Sequence, residues 1–145
     1  MIFPQDFINK VLQGNCIDLM SFLPEKCIDL ILTDLPYSVT ARNLWDQIIP
    51  FEPLWVQYER IIKDNAAIVL TATQPFASKL VMSNEKLFKY EWIWEKTKTT
   101  GFLNAKRQPL RNHEQILVFY KNQPIYNPQG IEICNIDCDR GSVDG

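Results

Sequence analysis

The chain alternates between short, nearly all-apolar runs and longer amphipathic stretches, and the two spacings predict different elements. Ile28-Asp29-Leu30-Ile31-Leu32-Thr33 is too short for a helix and rich in branched residues, so it reads as a buried strand. A second such run, Ala66 to Ala72 around Ile68 and Val69, follows the break signal Asp64-Asn65. Between them, Pro53 to Lys63 places Leu54, Tyr58, Ile61 and Ile62 on one face at helical spacing. Residues 16 to 23 suit a short helix, and Pro75 to Ser83 suits one opened by a proline near its first turn. Phe88 to Trp94 and Gln115 to Tyr120 read as two further strands, an antiparallel pair at a sheet edge joined by a polar loop over 95–114. Residues 38 to 50 are a mixed loop, and after Lys121 the periodicity dissolves.

Strands separated by helices give an α/β class. Strands 28–33 and 66–72, joined through a helix, are expected side by side and parallel by a right-handed crossover, with Asp34 and Thr73 at one sheet edge. Ligand crevices of open α/β sheets lie outside the carboxyl ends of the strands. The strongest candidate chemistry sits there. Thr33-Asp34-Leu35-Pro36-Tyr37 presents a carboxylate, a tight turn and an aromatic ring where the first strand stops. A hydrogen-bond acceptor beside a flat ring suits a planar base carrying an amino group, while a proline after a strand is also ordinary turn chemistry.

Composition narrows the classes. A chain of 145 residues with 46% hydrophobic side chains is sized for one domain with a real core. The net charge of −2 gives no global basic footprint. The charge is uneven, however: residues 86 to 121 hold eight basic against three acidic side chains, a local +5 that either neutralises phosphates or simply solvates a loop. Cys16 and Cys27 lie among apolar neighbours and read as small core residues. Cys134 and Cys138 form a C-x3-C, but His113 is the single histidine and no second cysteine pair follows, which argues against a closed zinc site. No apolar run approaches the roughly 18 residues of a membrane span. Free thiols and the lack of a signal-like segment imply a reducing cytoplasm.

Several blocks in consistent order over residues 11 to 129 carry a family likeness. They are Gly14-Asn15-Cys16-Ile17-Asp18-Leu19, Asp34-Leu35-Pro36-Tyr37, Leu44-Trp45-Asp46 with Pro53-Leu54-Trp55 through Lys63, Ala67 to Leu70 with Thr73-Gln74-Pro75-Phe76, and Trp94-Glu95-Lys96 through Asn104-Ala105-Lys106 to His113-Glu114-Gln115. Together they resemble the DNA amino-methyltransferases, in the subgroup whose catalytic motif precedes its cofactor motif. The resemblance implies part of a Rossmann-like class I methyltransferase sheet, with S-adenosylmethionine as methyl donor and adenine N6 of DNA as acceptor. It implies catalytic roles for Asp34, Leu35, Pro36 and Tyr37, with Asn15, Cys16 and Asp34 at the donor. It puts Asn104, Lys106, Arg107 and His113 beside the DNA strand. A lone histidine before a strand is more often a hydrogen-bonded structural residue than a catalyst. Tyr90, Trp92 and Trp94 recur every second residue and read as sheet packing, and Trp45 and Trp55 as core anchors.

Under the resemblance, the Asp34 carboxylate and the Leu35 carbonyl would accept hydrogen bonds from the base's exocyclic amino group and free its lone pair. Tyr37 would stack on the base, a contact worth about 1–3 kcal/mol, and the base would have to be flipped out of the duplex. Leu35 replaces a proline of the common motif, which loosens the turn, and Asn15 replaces an aspartate. An initial Asp at position 34 resembles the adenine-directed enzymes more than the cytosine-N4 ones. The glycine-rich F-x-G-x-G loop of the family has no counterpart among Gly14, Gly101, Gly130, Gly141 and Gly145. The expected organisation is therefore a catalytic half over 1–129 and an irregular tail over 130–145, with the cofactor half of the fold absent and open to supply by a separate chain. Two other functions stay open: a non-catalytic nucleic-acid-binding or partner module of this fold, and a methyltransferase acting on RNA or protein amides.

Overall fold

The computed structural model describes residues 1–37 and 46–130. Its centre is a four-stranded sheet in the order β1-β2-β4-β3. The strands are β1 (Ile28–Asp34), β2 (Ile62–Ala72), β3 (Phe88–Thr100) and β4 (Arg111–Tyr120). Helix α1 (Cys16–Ser21) precedes β1, α2 (Phe51–Ile61) links β1 to β2, and α3 (Phe76–Ser83) leads into β3. β1 and β2 are adjacent and parallel, as the crossover argument requires, while β4 runs antiparallel to both β2 and β3.

One face of the sheet forms the core. Ile31, Ile68, Leu70, Leu117 and Phe119 are buried on it under α2 and α3. Helix α2 buries Leu54, Trp55, Tyr58 and Ile61. Trp55 is a core anchor: its ring lies 4.9 Å from that of Phe119, and its Nε1 donates to Ser83 Oγ at 2.8 Å. The Arg60 guanidinium donates to the carbonyls of Met20 and Leu23, each at 2.7 Å, fastening the end of α1 to α2.

Three sequence expectations are corrected. β2 begins at Ile62, because Asp64 and Asn65 do not end an element. They lie in a bulge, where Ile28 pairs with Ile62 but Leu30 already pairs with Ala67. The loop expected over 95–114 is mostly strand, since threonine-rich β3 continues to Thr100 and β4 starts at Arg111. Trp92 and Trp94 share a face with Tyr90, yet they are about half exposed, at 48% and 50%, because none of the described helices covers that side. Trp45 and the tail over 131–145 lie outside the described residues.

Candidate active site

The motif sits where the topology places it. β1 ends at Asp34 and pairs in register with β2, so that Asp34 stands opposite Thr71. The Thr71 hydroxyl donates to Asp34 Oδ1, and so does the Tyr37 hydroxyl, which also lies 3.3 Å from Thr71 Oγ1. Both bonds land on one carboxylate oxygen of an otherwise exposed side chain. Thr71 is the residue that sequence reasoning misses. Its only signal is the register of a parallel pair, which a single chain does not print.

The turn after Asp34 is held from below. Leu35 is 5% exposed and belongs to the core cluster. The leucine that frees φ relative to proline therefore compensates by burying its side chain, an anchor worth about 1.5–3 kcal/mol. Tyr37 is half-buried, with its ring 5.2 Å from that of Phe76 and tilted 38° to it, and Phe76 in turn packs 5.7 Å from Phe51. Burial, and then the Asp34 carboxylate at its hydroxyl, push Tyr37 up to about 12. Tyr37 is thus a neutral donor at any physiological pH.

Beside this edge is an open hollow of about 480 Å³ whose lining includes Cys16, Thr33, Asp34, Leu35, Pro36 and Tyr58. That volume falls within the range of about 300–1,000 Å³ usual for small-molecule sites. Two of the three expected donor residues, Cys16 and Asp34, therefore share one wall. The third, Asn15, caps α1, its Oδ1 accepting from the Ile17 N–H at 2.9 Å.

The expected DNA-contacting residues come to the same edge by a different route. β2 pairs with β4 only from Ala67–Tyr120 to Ala72–Gln115, so Arg111–Glu114 of β4 and the facing end of β3 run on past β2. Because β4 is antiparallel, this overhang leaves the sheet at the end where β1 delivers Asp34. The free arm is about 13 Å long and about 10 Å to the side of Asp34, from four residues of rise and two strand spacings. Asn104, Lys106 and Arg107 lie at its exposed end, and His113 lies at its root opposite Glu95. The His113 Nδ1 is 3.3 Å from Asn112 Oδ1.

No family model matches the chain. Among curated proteins, the Type II methyltransferase M1.MboII of Moraxella bovis is 28% identical over 127 residues, covering 80% of this chain and 47% of its own length. The solved M1.HpyAVI–SAM complex superposes with a TM-score of 0.54 at 20% identity, covering 76% of this chain and 54% of that one. The described sheet is part of a class I methyltransferase fold. The cytosine-N4-specific PvuII DNA methyltransferase shares it, with a TM-score of 0.55 at 11% identity over 77% of this chain and 49% of its own. The chain spans about half the length of the curated relative and about half that of the solved complex.

Proposed function

We propose that the chain is the catalytic half of an S-adenosylmethionine-dependent DNA amino-methyltransferase acting on adenine N6. The observation that carries this reading is Asp34, held at the carboxyl edge of a parallel pair by Thr71 and Tyr37, with a basic arm to its side and a hollow of ligand size next to it. The relative's name supports methyl transfer and the PvuII neighbour's title supports DNA as the acceptor, while the initial Asp of the motif favours adenine.

An exocyclic amino nitrogen is a poor nucleophile because its lone pair is delocalised into the ring. Asp34 Oδ2 accepts one amino hydrogen and the Leu35 carbonyl the other, which draws the nitrogen towards a tetrahedral shape and localises the pair. Thr71 and Tyr37 fix the carboxylate by binding Oδ1, so its orientation is set before the base arrives. When bound, S-adenosylmethionine supplies a methyl group on a sulfonium, and Cys16 and Asp34 are the residues on the hollow that would hold it. With the donor bound, the nitrogen lone pair would take the methyl group as the sulfonium–carbon bond breaks and its electron pair leaves with the sulfur as a neutral thioether. The nitrogen, then cationic, would lose its excess proton by way of the Asp34 carboxylate to solvent. Tyr37 supplies a flat ring against the flipped base.

The bond from Tyr37 to Asp34 also favours a second reading, in which the carboxylate is permanently occupied and the chain is a nucleic-acid-binding module. Supplying the remaining half of M1.MboII, either fused or as a second chain, separates the readings. Methyl transfer is then measured on DNA, RNA and protein, with the product identified by mass spectrometry. We expect N6-methyladenine in DNA. Product in RNA or protein alone would replace the substrate, and N4-methylcytosine would replace the base.

A further inference from the structure

The end of the β3–β4 arm carries a feature that phosphate contact does not use. Between Lys98 and His113 there are four cations (Lys98, Lys106, Arg107 and Arg111) and no carboxylate, Lys96 before them being paired with Glu114. At the apex of this positive segment stand Phe102 and Leu103, 74% and 84% exposed. They form a single 3-10 turn, Phe102–Asn104, entered through Gly101 at φ 85°, a left-handed conformation that favours glycine. The apex closes its own backbone bonds. The Asn104 N–H donates to Gly101 O at 2.9 Å, Ala105 N–H to Phe102 O at 3.1 Å and Arg107 N–H to Asn104 O at 2.8 Å. The turn is therefore built locally, and its two large apolar side chains are presented to solvent, away from the core.

We propose that Phe102 and Leu103 are a wedge that enters the stacked bases of a DNA duplex beside the target nucleotide. Apolar side chains inserted at a base step unstack it at a cost of a few kcal/mol, and flanking cations offset this by neutralising phosphates. Asp34 lies at the same sheet edge, so the arm works on the strand from which the base must be extruded to reach the carboxylate. This inference rests on the DNA-directed reading above and adds to it a specific device for opening the stack.

The recognition sequence need not be known to test it. A wedge gains most where the stack already has a gap, so the full chain should bind a duplex with one abasic site about tenfold more tightly than the intact duplex. In the Phe102→Ala/Leu103→Ala variant that ratio should fall to about one while the salt dependence is unchanged. In Lys106→Ala/Arg107→Ala, affinity for both duplexes should fall and the ratio should persist. The slope against log salt should flatten by about 2 in that variant, near 0.9 for each phosphate no longer neutralised. Fluorescence anisotropy at two salt concentrations reads all three proteins, and circular dichroism confirms their folding. If the wild-type chain binds both duplexes equally, or if the Phe102→Ala/Leu103→Ala variant keeps the preference, the wedge is wrong while DNA binding stands. If the wild-type chain binds neither duplex, the DNA-directed reading falls and the wedge falls with it.

Discussion

The two faces of the sheet differ in how far the described residues cover them. On the face under α2 and α3, Ile68 is 1% exposed and Leu70, Leu117 and Phe119 are 0% exposed. On the opposite face, the edge strands β1 and β3 present Leu30 at 54%, Leu32 at 68% and Trp92 at 48%, while Val118 in the sheet's middle is 2% exposed. Parallel strands read as continuous apolar runs because both of their faces are normally covered. β1 fits that description in sequence, but the described residues cover it on one side only. β1 is thus a strand with the composition of a two-sided one whose second face, Leu30 and Leu32, is exposed among the described residues.

The sharpest way to break this comparison is truncation on each face. Leu70→Ala on the covered face should cost about 2–5 kcal/mol, whereas Leu32→Ala on the open face should stay within about 0.5 kcal/mol. Urea unfolding of the two variants reads the difference, and equal costs would mean that the open face is packed after all. The tryptophans offer a second test. Replacing Trp92 or Trp94 by Phe should remove emission that acrylamide quenches readily, while replacing Trp55, 5% exposed, should remove emission that it does not.

Smaller effects belong to the sheet's two ends. At the carboxyl end, Tyr37 is pushed from 10.0 up to about 12. A raised pKa means that the folded state holds the proton more tightly. Its stabilising contribution is therefore complete below about pH 10 and is lost as pH rises through about 12. Burial also raises Tyr58 and Tyr90, so phenolate absorbance should lose one of its late-titrating components in Tyr37→Phe, and that component should titrate earlier in Asp34→Asn. At the opposite end, Lys26 at 2.7 Å and Lys121 at 3.3 Å hold the Asp64 carboxyl below its ordinary value. That contribution is present above the unfolded pKa and fades as pH falls through the lower folded one. Asp64 is exposed, its side chain at 51%, so Asp64→Asn should change neutral-pH stability only slightly and flatten its acid-side dependence.

Much of this architecture was legible in the residues. The apolar runs located β1 and β2, helical spacing found the buried face of α2, and the crossover rule gave their parallel pairing. The boundaries failed where local signals competed with pairing. Asp64-Asn65 looks like a stop but is absorbed as a bulge, and the polar stretch after Trp94 looks like a loop but is held as strand by its antiparallel partner. The even spacing of Tyr90, Trp92 and Trp94 does give one face, but spacing cannot tell whether anything covers that face. At the site, Asp34 and Tyr37 were readable as a motif. Thr71 was not, because its role arises only from register across two strands, and the anchoring by Leu35 and the capping by Asn15 needed three-dimensional geometry.

The central claim is that Asp34 acts on the amino group undergoing methylation. Its most direct test is Asp34→Ala in the enzyme completed with the remaining half of M1.MboII, with methyl incorporation and DNA affinity measured on the same preparations. The account predicts that incorporation is abolished while affinity is nearly unchanged, because the carboxylate contacts the base's amino group and no phosphate. Near-normal turnover by the Asp34→Ala enzyme would contradict it.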